Sequence, residues 1–308
     1  MNSASCVDSK PIAIDAGLLR GWPLPQVDGD GGKEERGRVF VVGGSQEIPG
    51  AVILAAEAAL RAGAGKLLVA TAQSVAAHVA VVLPEARVVA LRQSERGELA
   101  EQSCQRVLHD AGESSAVLVG PGMMDSAAGI DLVAACLRMD RPPVLVVDAA
   151  PLVDMQRLSD ALRRAPAAAA RVILTPHAGE AARLCGIERE RVCADRLGIA
   201  RHIAGELGVV VALKGPSTYV VSPDCRAFVN TAGNPGLGTS GSGDVLAGIL
   251  AGLAARGAEP LQAAVFGTHL HGLAGDALAR SVGPLGYLAR EISREIPGLL
   301  VAVSPAGQ

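Results

Sequence analysis

Short unbroken runs of Val, Ile and Leu recur along the chain, separated by longer stretches in which apolar residues return every three or four positions. The runs Val39–Val42, Lys66–Thr71, Arg87–Leu91, Ala116–Val119, Val144–Asp148, Arg171–Leu174 and Val209–Lys214 read as strands. They do not alternate between apolar and polar positions. A strand that is apolar on both faces is buried on both faces, as in a parallel sheet with helices on each side. Ala51–Ala62 and Ser126–Met139 carry the helical spacing between such runs. The expected architecture is an α/β fold of three layers, helix over sheet over helix, around a central, mostly parallel sheet.

After Lys214 the pattern changes. Thr218–Ser222 and Arg226–Asn230, separated by Pro223, Asp224 and Cys225, read as a C-terminal antiparallel hairpin. Beyond Thr231 the sequence predicts no further strand. It predicts a Gly-rich turn, a helix from about Ser242 to Arg256 and another from about Pro260 to Arg280. Residues 1–37 are polar and turn-rich, and read as either a loosely ordered segment or edge structure. Residues 38–300 show no linker and no internal repeat, so they read as a single domain, followed by a tail at 301–308.

Composition narrows the function. Of the 308 residues, 49% are apolar and 19% are charged, which supplies a large core and excludes disorder as the overall state. Aromatic residues make up 2% and the formal net charge is −3, so neither stacking platforms nor a basic face favours a nucleic-acid partner. No run of about 18 uninterrupted apolar residues predicts a membrane span. The N-terminus lacks the pattern of a signal peptide, and the expected location is the cytoplasm. Six cysteines without a C-x-x-C pair predict free thiols, not a zinc site or a disulfide framework.

Candidate chemistry concentrates in residues 230–257. Gly236 to Gly241 satisfies G-x-G-x-x-G, but no strand follows the next helix to complete a dinucleotide-binding βαβ unit. A Walker A loop is absent, because Leu60 stands where the first glycine before Gly65–Lys66 is required. What remains is Gly241, Ser242 and Gly243 leading into a helix whose first turn carries Asp244. Unpaired amides at a helix N-terminus without bulky side chains form an anion site for a phosphoryl group. Asp244 either interacts with the helix dipole or serves as a general base. Lys214, at the end of an apolar run, reaches either solvent or an anionic partner. His177 sits at a strand-to-helix turn, and Ala51 and Gly122 are small residues at strand ends where a ligand can approach the backbone.

At these residues the chain resembles a known family. G-S-G-D (241–244) resembles the G-x-G-D signature of the ribokinase-like superfamily. N-P-G-L-G-T-S-G-S-G-D-V-L-A-G-I (234–249) is similar to its NAD(P)H-hydrate dehydratase branch. V-V-G-G-S-Q-E-I-P-G-A (41–51), A-L-R-A-G-A-G-K-L-L-V-A-T (59–71), V-G-P-G-M (119–123), L-T-P-H-A-G-E (174–180), L-K-G-P-S-T (213–218) and H-G-L-A-G-D (271–276) agree in order and spacing, over about residues 38 to 285.

The resemblance implies a ribokinase-like fold and an enzyme that uses ADP, or ATP, with magnesium (Mg2+). Its substrates would be the S forms of hydrated NADH and NADPH (NADHX and NADPHX), restored to NADH and NADPH by phosphorylation of the ring hydroxyl and elimination of phosphate. It implies Asp244 as catalytic base and Gly241, Ser242 and Gly243 as anion hole. Lys214, Gly215, Pro216, Ser217 and Thr218, with Gly243, would form the nucleotide site. Ala51, Gly122, His177 and Asp244 would contact the dinucleotide. Glu180 would hold magnesium through water, and Asn234 would touch phosphate. A homotetramer and a separate epimerase in the same pathway are implied as well. Two stretches depart from the family pattern: Glu34–Gly37 stands where a His-Lys-Gly stretch is usual, and residues 284–300 differ from the expected polar helix start. The same signature also serves small-molecule alcohol kinases, and a non-catalytic nucleotide sensor is the third alternative.

Overall fold

The computed structural model describes residues 9–26, 32–100, 103–125 and 127–304. Among them the strands are β1 (Ile12–Ala13), β2 (Arg38–Val42), β3 (Lys66–Ala72), β4 (Ala86–Leu91), β5 (Ala116–Val119), β6 (Val144–Val147), β7 (Val172–Leu174), β8 (Val210–Leu213), β9 (Thr218–Val221) and β10 (Ala227–Asn230). They form one sheet in the order β1-β10-β9-β8-β7-β6-β5-β2-β3-β4. From β8 to β4 every neighbour is parallel, and β9 pairs antiparallel with both β8 and β10. The expected mostly parallel sheet with its C-terminal hairpin is therefore present.

Parallel strands need crossovers, and helices supply them. They are α1 (Ala16–Gly21), α2 (Pro49–Arg61), α3 (Gln73–Val82), α4 (Cys104–Gly112), α5 (Ala127–Leu137), α6 (Met155–Arg163), α7 (Pro166–Ala169), α8 (Ala178–Cys185), α9 (Arg189–Ala194) and α10 (Arg196–Leu207). After the hairpin come α11 (Ser242–Ala255), α12 (Pro260–Ser281) and α13 (Ala289–Val303). Ser126, expected to open α5, lies outside the described residues, as do parts of the expected segments 1–37 and 301–308.

Both faces of the sheet are covered, and successive residues of one strand show why the apolar runs had to be continuous. Val39 and Val41 of β2 point into a core shared with α2, α11, α12 and α13. Phe40 and Val42 point into a second core shared with α4, α5, α6, α8 and α10. Each such side chain, fully buried, contributes about 1.5–3 kcal/mol.

The helix α11 is buried along nearly its whole length. It can be, because Gly248 and Gly252 let it touch α2 backbone to backbone. A Cβ at Gly248 would lie 2.1 Å from the Ala55 carbonyl oxygen, and one at Gly252 would lie 2.3 Å from that of Ala59.

The chain runs from β2 outward to β4, returns to β5 on the other side of β2, and then continues away from it. The crossover helices α2 and α5 accordingly lie on opposite faces. At such a switch point a crevice opens at the carboxyl ends of the strands.

Residues 9–26 supply edge structure: β1 pairs in parallel with β10, and Asp15 caps α1 by accepting from the Leu18 amide at 2.8 Å. Leu19 is fully buried, and Trp22 stacks on Phe228 with ring centroids 6.1 Å apart. Cys185 and Cys193 are free thiols. Cys225 is disulfide-bonded, which corrects the expectation of free thiols throughout.

Candidate functional site

Three adjacent strands end in polar residues that meet. Asp148, Thr175 and Lys214 follow β6, β7 and β8. Lys214 Nζ donates to Asp148 Oδ1 at 2.8 Å, and the Thr175 hydroxyl donates to the same oxygen at 2.6 Å. The Lys214 amide donates to the Pro176 carbonyl at 2.8 Å, which fixes the strand end beside the turn into α8. Asp148 is 3% exposed, so its charge needs the partners it has. Burial alone pushes the Lys214 ammonium down, but the carboxylates of Asp148, Glu180 and Asp244 outweigh it and hold Lys214 above its ordinary value. The next residue, Ala149, takes a left-handed φ of 56°.

Asp244 lies in the first turn of α11, whose N-cap Gly241 places no side chain over the helix amides. The N-terminus therefore stays available to an anion. Lys214 Nζ is 3.4 Å from where a Cβ on Gly243 would stand, so the cation faces the same point. Burial, followed by the charge of Asp148, pushes the Asp244 carboxyl up to about 6, with Lys214 opposing. A carboxylate tuned there is ionised at neutral pH and still takes up a proton readily, as a general base requires. On α12, His271 Nε2 lies 3.0 Å from Ser242 Oγ and 3.1 Å from the Ser242 carbonyl oxygen. Burial pushes this ring down to about 4, so the imidazole that braces the start of α11 is neutral.

A cavity of about 990 Å³ opens over this point. Lys214, Gly215, Pro216, Thr218, Ser242, Gly243 and His177 all line it, together with Arg189 and Arg196. Ser217, Gly241 and Asp244 are not on its wall.

His177 proves to be the N-cap of α8. Its Nδ1 accepts from the Gly179 and Glu180 amides at 3.0 and 3.1 Å, and Glu180 Oε2 accepts from the His177 amide at 2.8 Å. Glu180, raised chiefly by burial, is thus engaged in this capping box and does not reach the cavity wall. Asn234 lines the cavity, but its side chain is used internally. Its Oδ1 accepts from the Gly236 amide at 3.0 Å and the Tyr287 hydroxyl at 3.1 Å, and its Nδ2 donates to Asp276 at 3.1 Å.

Ala51 and Gly122 lie apart from that cavity, beside the carboxyl ends of β2 and β5, where the strand order reverses. Gly122, with φ 69°, brings the β5 loop onto the N-terminus of α2. A Cβ there would meet the Ile48 carbonyl oxygen at 2.5 Å and Ala51 Cβ at 3.0 Å. The Gly44 amide donates to the Pro121 carbonyl at 2.7 Å, tying the two loops together. Of the expected site residues, the structure thus groups Lys214 and Asp244 at the charged strand ends and sets Ala51 and Gly122 apart, among small residues. Sequence reasoning did not single out Asp148, Thr175 or His271. The one available signal was that three neighbouring apolar runs each end in a polar residue.

The residues do not form a metal cage of their own. Among the described residues no three His, Cys, Asp or Glu side chains converge, and Asp148 and Glu180 are engaged with Lys214 and the α8 cap.

Comparison with known proteins places the chain in a family. Residues 39–298 match the model of the NAD(P)H-hydrate dehydratase family. The chain is 46% identical over 289 residues to the ADP-dependent (S)-NAD(P)H-hydrate dehydratase of Xanthomonas campestris, covering 93% of this chain and 95% of that one. A ribokinase-like superfamily protein of Enterococcus faecalis superposes with TM-score 0.77 at 25% identity, over 95% of this chain and 96% of that one. The ADP/ATP-dependent NAD(P)H-hydrate dehydratase of Bacillus subtilis, co-crystallised with ATP and Mg2+, does so with TM-score 0.77 at 28% identity, over 95% and 98%. With the fold and nearly the whole length in agreement, the chain belongs to the NAD(P)H-hydrate dehydratase family, built on the ribokinase-like fold.

Proposed function

We propose that this protein is an ADP-dependent dehydratase that returns the S form of hydrated NADH or NADPH to the intact dinucleotide. The observation that carries this reading is the meeting of Asp244, Lys214 and the open N-terminus of α11 beside a cavity of about 990 Å³.

The Lys214–Thr218 loop and Gly243 hold the nucleotide, with the Lys214 ammonium and the amides of Gly241–Gly243 facing the transferring phosphoryl group. Asp244 accepts the proton of the ring hydroxyl as that oxygen bonds to phosphorus and AMP departs. Phosphate then leaves with a proton from the neighbouring ring carbon, which restores the ring double bond. Ala51 and Gly122, where the β5 loop packs closely on the start of α2, border the switch-point end of the sheet that takes the dinucleotide. His177 borders the nucleotide cavity, so in this reading it touches the substrate where the two ligands adjoin. Magnesium would supply charge neutralisation at the nucleotide phosphates, and Glu180, the chain's expected contact to it through water, is engaged in the α8 cap. Exposed apolar side chains such as Leu285 and Val301 give the implied homotetramer surface to cover.

The test is to incubate the protein with hydrated NADH and ADP, following the return of reduced-nicotinamide absorbance and the release of AMP and phosphate. Full turnover without nucleotide overturns the phosphorylation route. A stable phosphorylated alcohol as end product assigns the protein to the small-molecule kinases of the same fold.

A further inference from the structure

One buried carboxylate beside the site has no part in the steps above. Asp148 lies at the end of β6, holds Lys214 Nζ at 2.8 Å and is itself held by the Thr175 hydroxyl at 2.6 Å. Lys214 also feels the charges of Glu180 and Asp244. Glu180 is fixed by its bond to the His177 amide, which leaves Asp244 as the carboxylate that competes with Asp148 for the ammonium.

We propose that Asp148 is a positioning residue for this reaction: by pinning Lys214 beside the mouth of α11, it keeps the ammonium from closing on Asp244 and leaves that carboxylate free to take the hydroxyl proton. The inference rests on Asp244 being the base.

The surrounding charges leave this arrangement intact. On α2, Glu57 pairs with Arg61. On α12, His269 bonds Asn230, Asp276 serves Gly233 and Asn234, and His271 braces Ser242. On α13, Glu291 caps its own helix at Leu288. The charges that bear on Asp244 are those of Asp148 and Lys214, with opposite sign. Removing the negative charge of Asp148 ends its repulsion of Asp244 and releases Lys214 toward it, and both effects make Asp244 a weaker base.

The experiment is the pH profile of kcat at saturating ADP and hydrated NADH for the wild type and Asp148→Asn, which keeps size and an oxygen acceptor. The acid limb is expected to move down by about one pH unit, and the plateau to fall about tenfold as the base weakens. A role confined to neutralising a buried lysine would lower thermal stability and leave the limb in place. A folded Asp148→Asn enzyme whose limb does not move overturns the proposal.

Lys214→Met supplies the opposite arm and serves if Asp148→Asn does not fold. Losing the cation should move the limb up, and a limb that stays or moves down overturns the proposal. Failure of the underlying reading looks different: Asp244→Asn would then retain the wild-type rate.

Discussion

The two halves of the proposed site are built on opposite principles. Around Lys214 the work falls to side chains: a lysine, two aspartates and a threonine from four elements come together, and burial and charge set the proton affinities of Lys214 and Asp244. Around Gly122 the site consists of side chains that are missing, and backbone contact between the β5 loop and α2 fills the space. Substitution should therefore change chemistry in the first half and shape in the second.

The largest effect is expected at Asp244. Asp244→Asn keeps size and loses the proton acceptor, so kcat should drop by about 10² to 10⁴ with both ligands still bound. The same variant should be more thermostable than the wild type above pH 6. A carboxyl whose folded value is raised destabilises the fold as pH climbs from its ordinary value toward about 6, and the amide escapes this. Its melting temperature should thus exceed the wild type at pH 7.5, and the advantage should vanish near pH 4. A folded Asp244→Asn protein working within about threefold of the wild type would remove Asp244 as base.

Ala51→Trp probes the other half. The bulky ring fills the crevice by Gly122, so affinity for the dinucleotide should fall by at least about tenfold, or ~1.4 kcal/mol, while ADP binding is unchanged. Calorimetry with each ligand checks this, and equal losses would mean that the halves are not separate.

A third outcome concerns pH alone. In the wild type kcat should fall about tenfold per unit below pH 6, as Asp244 becomes protonated. A flat profile from pH 5 to 8 would contradict a base with that affinity.

The smallest effect is expected at His177. Its Ala variant loses the cap of α8, which should cost about 0.5–2 kcal/mol in thermal unfolding. If its dinucleotide affinity falls while ADP affinity holds, His177 belongs functionally to the small-residue half despite standing in the charged one.

Much of this was legible in the sequence because the signals were local. Continuous apolar runs marked the strands of the parallel sheet, and the G-S-G-D turn marked the start of α11. Asp148 was not legible, because V-L-V-V-D looks like any strand meeting a loop; its meaning comes from Lys214, 66 positions away. His271 is hidden in an apolar helix, and nothing in its neighbourhood shows that it faces Ser242. The edge strand β1 spans 2 residues, too short for any periodicity to show. His177 reads as a helix-start histidine from its strand-to-helix turn, but that its own ring caps α8 was not legible, because histidine is not among the usual N-cap residues.

The close contact of α2 and α11 has a kinetic consequence. Ala51 stands in the first turn of one helix and Asp244 in the first turn of the other, and Gly248 and Gly252 seat the two helices directly against each other. In the proposed reading, this contact sets the distance between the hydroxyl and phosphoryl sites when the chain folds. Loss of translational freedom between two reactants is then largely prepaid, and well-oriented pairs of this kind reach effective concentrations of about 10⁵ to 10⁸ M. Widening that helix contact by a single methyl, as in Gly248→Ala, would lower the encounter frequency of two bound ligands without touching either one.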